Sequence, residues 1–332
     1  MNISEIAKLA GVSSATVSRY LNNGYLSEEK RERIQKVIQE TGYVPSSSAQ
    51  SLRTQKSNQV GVIVPKIDSE TIGSVVRGVS NVLAENGYYV ILGNTENSLE
   101  KEREYMRIFK NNKMDGIILI ASCFPQKHLQ ELKKLSIPVV IVGQQLNGYC
   151  CVYHDDRHAA YELTKVLLQG NPGHVAFLGA LEQDRAVGID RRAGFEQAME
   201  ESGRSLEERA VRICEFSYES GKEQMADLLK QCPDTDAVFC VTDTIAAGAV
   251  EAIREAGLSI PEDVAVTGIG DSHLARVLSP QLTTAHYYYL ESGMEAARML
   301  LPLMHSQEMQ VRQLLLGFAI KERGTTKKQS LQ

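Results

Sequence analysis

Short runs of Val, Ile and Leu alternate with amphipathic stretches along the chain from Gln59 onward. Each run has the length of a strand and is apolar at consecutive positions, which is typical of strands buried on both faces of a parallel sheet. Four runs form a first series and three form a second: residues 60–64, 89–92, 116–120 and 139–143, then 175–179, 237–241 and 264–268. Two such series predict an α/β core of two doubly wound parallel-sheet subdomains.

The first forty residues show a helical period instead. Apolar residues fall on one face of each of two short predicted helices: Ile6, Leu9 and Ala10 on the first, Val17 and Leu21 on the second. Gly11 permits a tight turn between them. The second helix would turn small or hydrogen-bonding side chains outward, namely Ser13, Ser14, Ala15, Thr16, Ser18 and Arg19. Such a face can enter a major groove, so the pattern predicts an all-α helix-turn-helix headpiece, although two short helices around a glycine turn also occur in proteins that do not bind DNA.

A third amphipathic helix is predicted to follow. It would begin after Ser27 as the N-cap and end at Gly42. Its acidic first turn and its buried stripe are Glu28 and Glu29, then Ile34, Val37 and Ile38. Three helices of this size can share one small core. The third helix therefore favours the interpretation of the first two as a DNA-binding motif.

Four motifs in this region resemble the lactose-repressor (LacI/GalR) family of bacterial transcription regulators. They are Ala-Gly-Val-Ser at 10–13, Thr-Val-Ser-Arg-x-Leu-Asn at 16–22, Gly-Tyr-x-Pro at 42–45 and Ala-x-x-Leu at 49–52, and the resemblance runs from Ile3 to about Arg323. It implies that DNA contacts also come from Asn22, Tyr43, Ala49 and Leu52. In this family Leu52 would lie in a hinge helix over residues 47–54 and would insert at the central base step through the minor groove.

The resemblance also implies the domain organisation. We expect a DNA-binding domain at 1–45, a hinge helix and linker at 46–58, and an effector-binding and dimerisation core at 59–332 with the architecture of periplasmic sugar-binding proteins. One subdomain would comprise about 59–154 plus 287–316, and the other about 157–284 plus 320–332. Three crossings between them, near 153–156, 284–288 and 317–321, would act as a hinge.

The charge is distributed unevenly between these parts. The 332 residues carry a net charge of −5, but residues 1–58 hold eight Lys or Arg against five Asp or Glu, which leaves +3 there and −8 in the rest. A small basic reader on an acidic body suits DNA binding. Because the excess is modest, we expect a homodimer that presents two readers to a near-palindromic operator.

Several classes of protein are disfavoured. The apolar runs are too short to span a membrane and no secretion signal begins the chain, so we expect a cytoplasmic protein. The six cysteines, Cys123, Cys150, Cys151, Cys214, Cys232 and Cys240, lack the spacing of metal ligands, and no metal or cofactor is expected. No glycine-rich nucleotide loop, nucleophile motif or pair of metal ligands indicates an enzyme.

Ligands of doubly wound sheets bind beyond the carboxyl ends of the strands. Resemblance and position together select six candidate effector residues: Lys66, Gln144, Arg191, Phe216, Thr242 and Asp271. In the family, the place of Arg191 holds an effector hydroxyl or carboxylate, and an arginine fork offers several planar donors for that purpose. The place of Phe216 stacks on a sugar face, and the place of Thr242 supplies a polar contact.

One position departs from the family pattern. Gly270 stands where sugar-responsive relatives have a carboxylate that binds hydroxyls, so Asp271 would have to replace it or the effector differs. The pattern is nearest to the trehalose and sucrose repressor type. The trehalose repressors show a comparable shift, and their two phosphate-binding arginines correspond to Lys66 and Gln144. A disaccharide or its 6-phosphate is therefore the favoured effector. A purine-responsive or phosphoprotein-responsive regulator stays open, and a sugar-transport receptor is disfavoured by the headpiece.

Overall fold

A computed structural model describes residues 1–22, 24–43, 56–305 and 310–327. The chain forms two compact units, Met1–Asn58 and Gln59–Gln332. No helix among the described residues is both long enough and apolar enough to cross a lipid bilayer.

The first unit contains three helices, α1 (Ile3–Ala10), α2 (Ser14–Leu21) and α3 (Glu28–Thr41). A capping box starts α1, since the Asn2 side chain accepts from the Glu5 backbone N–H and the Glu5 carboxylate accepts from the Asn2 backbone N–H. Gly11 ends that helix at φ 63°, in the left-handed region that glycine adopts without strain. The predicted ends of the third helix are also those of the structure, because α3 follows Ser27 as its N-cap and stops at Gly42 as its C-cap.

The headpiece core differs from the predicted one on two helices, since Leu9 of α1 is exposed and the predicted stripe residues Val37 and Ile38 of α3 are only partly buried. Its fully buried residues are Ile6, Ala7, Ala10, Val17 and Ile34. The prediction that Leu9 is buried is wrong, because Leu9 is 61% exposed and Ala7 faces the core in its place. The close approach of α1 to its neighbours leaves room for an alanine at this point of the face.

The second unit contains two six-stranded sheets. The strands are β1 (Gln59–Val64), β2 (Tyr89–Asn94), β3 (Gly116–Ile120), β4 (Val139–Val142), β5 (Cys150–His154), β6 (Val175–Gly179), β7 (Val211–Ile213), β8 (Ala237–Cys240), β9 (Ala265–Gly270), β10 (Thr283–Tyr287), β11 (Gln313–Leu316) and β12 (Phe318–Lys321). The strand orders are β11-β5-β4-β3-β1-β2 and β12-β10-β9-β8-β6-β7. Every neighbouring pair is parallel except β10 and β12.

Helices cover both faces of each sheet. They are α4 (Glu70–Glu85), α5 (Leu99–Asn111), α6 (Gln126–Lys133), α7 (Asp156–Leu168), α8 (Arg191–Glu201), α9 (Tyr218–Gln231), α10 (Asp243–Glu255), α11 (His273–Val277) and α12 (Tyr289–Met304), with a π-helix at Arg185–Asp190 and a 3-10 turn at Glu208–Ala210. The helix α12 packs on α4 and on the first sheet although it follows β10 of the second sheet. The central strands β3, β4, β6 and β8 are buried at every position, as their apolar runs predict.

The chain passes between the two sheets three times. The passages lie between β5 and α7, between β10 and α12, and between β11 and β12. Each passage is a single residue between the two elements, so three short connections of the kind that allow hinge motion join the two sheets.

Candidate DNA-reading helix and effector cleft

The second helix of the headpiece carries the predicted reading face. Ser13 is its N-cap and accepts a hydrogen bond from the Thr16 backbone N–H at 3.2 Å. Val17 is turned into the core, whereas Ser14, Ala15 and Arg19 are exposed. The helix therefore presents small side chains and one guanidinium to solvent, and α1 and α3 support it from behind.

The other predicted DNA contacts are only partly described. Thr16 and Ser18 are half-buried on α2, and the exposed Asn22 follows it and donates its amide to the Ser18 carbonyl. Tyr43 is half-buried and packs against the headpiece core. Ala49 and Leu52, with the hinge helix predicted for 47–54, lie outside the described residues.

Two polar contacts join the carboxyl ends of the two sheets in the second unit, and we call the region between these ends the cleft. Gln144, just after β4, is 5% exposed, and its amide donates to the Asp184 carboxylate and to the Ser122 carbonyl, at 3.0 Å each. Asp184 lies beyond β6 and also accepts from the Val187 backbone N–H at 3.0 Å. Burial raises the pKa of Asp184, against the hydrogen bonds that favour its charged form. This contact joins one predicted effector residue to a carboxylate of the opposite subdomain.

A second polar contact crosses the cleft near α11. The Glu70 carboxylate, at the start of α4, accepts from the His273 backbone N–H at 2.7 Å. A Cβ added at Gly270 would lie 3.9 Å from Cγ2 of Thr71. The end of β9 and the start of α11 therefore lie close to the first turn of α4.

The Arg191 guanidinium is held by buried partners at the base of the cleft. Arg191 is 6% exposed, its Nε donates to Asp156 at 2.7 Å, and its Nη1 donates to the Val241 carbonyl. Burial opposes its charge, but the Asp156 carboxylate outweighs burial, so the pKa of Arg191 is raised and the group stays charged. The same Asp156 oxygen accepts from the Tyr287 hydroxyl at 3.0 Å.

Three other predicted effector residues line the ends of their strands without a shared partner. Lys66 is partly exposed and forms an ion pair with Asp68 at 3.5 Å. Thr242 is the N-cap of α10, where its hydroxyl accepts from the Ile245 backbone N–H at 3.2 Å. Phe216 is 38% exposed and follows β7. Lys66, Thr242 and Phe216 therefore share no contact, and of these three only Thr242 uses its side chain to cap a helix.

Asp271 is engaged within its own subdomain. Its carboxylate is bonded by Arg323, by His286 at 3.0 Å and by Arg276 at 3.4 Å. Burial opposes its charge, but the pKa of Asp271 is lowered because Arg323 and its other cationic neighbours favour the ionised form. A carboxylate already bound by these groups is less available to an effector than the free one that the sequence suggests.

Asp156 and Tyr287, the two residues that contact each other beside Arg191, were not among the effector residues selected from the sequence. Asp156 belongs to an acidic pair at a predicted crossing, and Tyr287 belongs to the aromatic run 286–289. In that run Tyr287 is 2% exposed and Tyr289 packs against both core clusters, whereas Tyr288 is 38% exposed. Two of the three tyrosines therefore pack into the core, and neither Asp156 nor Tyr287 indicates by its sequence position alone a contact with Arg191.

Comparison with known proteins identifies the family. The profile described as "Bacterial regulatory proteins, lacI family" matches residues 2–46. The profile described as "Periplasmic binding proteins and sugar binding domain of LacI family" matches residues 57–322. The chain belongs to the LacI family. It is a DNA-binding transcriptional regulator of that family and not an enzyme.

Individual relatives of this LacI-family regulator match over nearly their whole length. The sucrose operon repressor of Staphylococcus xylosus is 30% identical, over 94% of this chain and 96% of the relative. The transcriptional regulator RegA of Clostridium saccharobutylicum is 31% identical, over 98% and 99%. A solved complex of the regulator CelR with cellobiose superposes with a TM-score of 0.75 at 26% identity, over 98% and 99%. The lac repressor dimer on operator, at 21% identity and a TM-score of 0.87, shows the shared fold.

Proposed function

We propose that this regulator represses sugar-utilisation genes and that a small sugar or sugar phosphate changes its affinity for the operator. The observation that carries the proposal is the buried Arg191 guanidinium at a cleft between two subdomains, in a chain that also has a DNA-reading headpiece. An effector that contacts both subdomains can shift the angle between them, which is the property that controls operator affinity in this proposal.

The DNA side of the proposal assigns reading to the exposed face of α2. Ser13, Ser14, Ala15, Thr16, Ser18 and Arg19, with Asn22 and Tyr43, would contact bases and phosphates, and Ala49 and Leu52 would act in the minor groove. A homodimer would place two copies of this face on a near-palindrome. The division of the core into two subdomains joined by three crossings supports the mechanical part of this proposal.

The effector side favours a disaccharide or its phosphate. One relative named as a sucrose operon repressor and one solved complex of a regulator with cellobiose support this class. In the cleft, Lys66 and Gln144 would contact the effector from one subdomain, and Arg191, Phe216 and Thr242 from the other. Asp271 stays a weaker candidate because Arg323 and His286 already bind its carboxylate.

A ligand screen tests the effector class. Thermal unfolding of the full-length protein is followed with sucrose, sucrose 6-phosphate, trehalose 6-phosphate, cellobiose and purine bases. A ligand at 100 times its dissociation constant adds about 2.7 kcal/mol of stability. We expect stabilisation by at least one disaccharide or disaccharide phosphate and by no purine. Stabilisation by a purine alone would replace the sugar assignment.

Binding of the same sugars to a Lys66 variant tests the role of Lys66. If the effector carries a phosphate, Lys66→Ala costs more affinity for the phosphorylated sugar than for the free one, because a charge-assisted contact to phosphate is lost. Lys127→Ala on α6 removes an exposed lysine from the same subdomain and serves as the control. Equal losses for both sugars in Lys66→Ala would reject the phosphate contact.

A further inference from the structure

We infer that Asp156 and Tyr287 are positioning residues for Arg191, and that they tie its guanidinium to two of the three crossings between the subdomains. The inference rests on the proposed function, in which Arg191 contacts the effector. It assigns the response to effector to a buried cluster behind the cleft rather than to the cleft surface alone.

The geometry of the cluster defines how Arg191 is held. One Asp156 oxygen, Oδ1, accepts from Arg191 Nε at 2.7 Å and from the Tyr287 hydroxyl at 3.0 Å. The guanidinium carbon of Arg191 lies 5.3 Å from the centre of the Tyr287 ring, within cation–π range. All three side chains are at least nine-tenths buried. Asp156 therefore fixes the direction of the guanidinium in its own plane, and the Tyr287 ring fixes how far the guanidinium lies from that ring.

The positions of these residues in the chain connect the cluster to the hinge. Asp156 is the first residue of α7, directly after the passage from β5. Tyr287 is the last residue of β10, directly before the passage to α12. His154, the last residue of β5, stacks on Tyr287 with ring centres 4.5 Å apart and planes 5° apart. A displacement of Arg191 is consequently transmitted to two crossings through one shared oxygen and one ring stack.

Packing alone does not explain the arrangement. A buried ion pair is a weak stabiliser compared with apolar side chains of the same volume, because desolvation offsets most of its attraction. A charged pair with a shared acceptor does, however, impose a fixed direction on the guanidinium. The Tyr287 hydroxyl competes for the same oxygen and so limits where the Arg191 Nε can bind.

Tyr287→Phe tests the inference, with Tyr161→Phe as a matched control. Each substitution removes one hydroxyl that donates to a carboxylate, and the Tyr161 hydroxyl donates to Glu201 at 2.6 Å, in the same subdomain but outside the cluster. Two readouts are taken on the full-length protein: calorimetric affinity for sucrose, sucrose 6-phosphate and trehalose 6-phosphate, and the solvent exchange rate of the Arg191 Nε proton by arginine-selective ¹⁵N NMR. Arg191→Lys assigns the resonance.

We expect Tyr287→Phe to speed exchange of the Arg191 Nε proton at least fivefold and to weaken sugar binding at least fivefold, with Tyr161→Phe unchanged in both. Asp156→Asn gives a second variant that keeps the shape of the acceptor and should speed the exchange further. Unchanged Nε exchange in both variants overturns the inference even if sugar affinity falls. If none of the three sugars binds the unaltered protein, the sugar assignment fails, and the exchange rate alone then decides the positioning role.

Discussion

Arg19 is the residue whose substitution tests the DNA-reading role proposed for α2. It is exposed on α2, and Val17 anchors the opposite side of that helix in the core. Arg19→Ala should weaken operator binding by roughly 1–3 kcal/mol, since an arginine contact to a base or a phosphate is lost. The measurement is fluorescence anisotropy on a DNA site selected from random sequence. Arg77→Ala, an exposed arginine on α4, is the control, and equal affinities in the two variants would contradict the assignment of α2 as the reading helix.

The buried Glu102 should make the stability of the fold depend on pH, independently of the cleft. It is 4% exposed on α5, and its carboxylate oxygen lies 3.3 Å from Nε2 of the buried His128 on α6. Burial raises the pKa of Glu102 to about 7. Its folded-state pKa is above the unfolded value of 4.5, so its stabilising contribution is complete below pH 4.5 and is lost as the pH rises to 7.

Glu102→Gln should therefore change the pH profile of unfolding. The free energy of unfolding of the unaltered protein, relative to Glu102→Gln, should fall by about 3 kcal/mol between pH 4.5 and 7 and stay level above that. Denaturant titrations at four pH values measure this difference. Glu104→Gln, at an exposed position of the same helix, should leave the profile unchanged. A difference that grows with pH would contradict the raised pKa.

Single residues of the site were predictable only where a motif or a strand end marks them. Arg191 follows from its motif, and Gln144 follows from its place after an apolar run. The contact from Tyr287 to Asp156 joins residues 131 positions apart in sequence, and no local pattern encodes such a pairing. The engagement of Asp271 by Arg323 was missed for the same reason, since Arg323 comes from the end of the chain.

Among the elements, the helices α4 and α12 pack closely against each other. The helices α4 and α12 approach each other at two glycines. A Cβ added at Gly293 would lie 2.0 Å from the Val75 carbonyl oxygen, and one added at Gly78 would lie 2.1 Å from the Leu290 carbonyl oxygen. Neither backbone can move aside without separating the helices.

Gly293→Ala should destabilise the core by about 1–3 kcal/mol through overpacking. Gly73→Ala is the matched control, because a Cβ there meets nothing within 4 Å on the exposed side of α4. The control should be neutral or stabilising by about 0.5–1 kcal/mol, the helix penalty of glycine. Chemical denaturation of both variants measures the two effects, and a similar stability for them would show that the helices do not pack as described.

Elements were predictable where their apolar pattern is long and continuous. The predicted runs at 116–120 and 175–179 coincide with β3 and β6. The strand β7 was not predicted, because it has three residues at a sheet edge and no fully buried position. Its pairing with β6, rather than its own composition, makes it a strand.

At the scale of the whole molecule, two polar contacts among the described residues join the two subdomains across the cleft. They are Gln144 to Asp184 at 3.0 Å and Glu70 to the His273 backbone at 2.7 Å. Each hydrogen bond contributes about 1 kcal/mol net, so loss of both should shift the balance toward an open core by one to two orders of magnitude.

The double variant Glu70→Ala with Gln144→Ala should have a larger radius of gyration in small-angle X-ray scattering. Glu85→Ala, on the exposed end of α4, controls for loss of a surface charge. An unchanged radius in the double variant would show that other contacts close the cleft.

The division of the chain into a headpiece and a two-sheet core was predictable because the hydrophobic period changes once and the apolar runs fall into two series. The state of the cleft was not, because it depends on single contacts between elements far apart in sequence. Gln144, for example, meets Asp184 only after both sheets have formed.

In the proposed function, effector binding in the core changes DNA binding by the headpiece. The most direct measurement is the anisotropy of a selected DNA site with the full-length protein, titrated with the sugar that stabilises it most, for the unaltered protein and for Arg191→Lys. We expect at least a tenfold change in DNA affinity at saturating sugar for the unaltered protein. For Arg191→Lys we expect a response that requires at least tenfold more sugar. A DNA affinity that stays constant while the sugar is bound would show that effector binding does not control the headpiece.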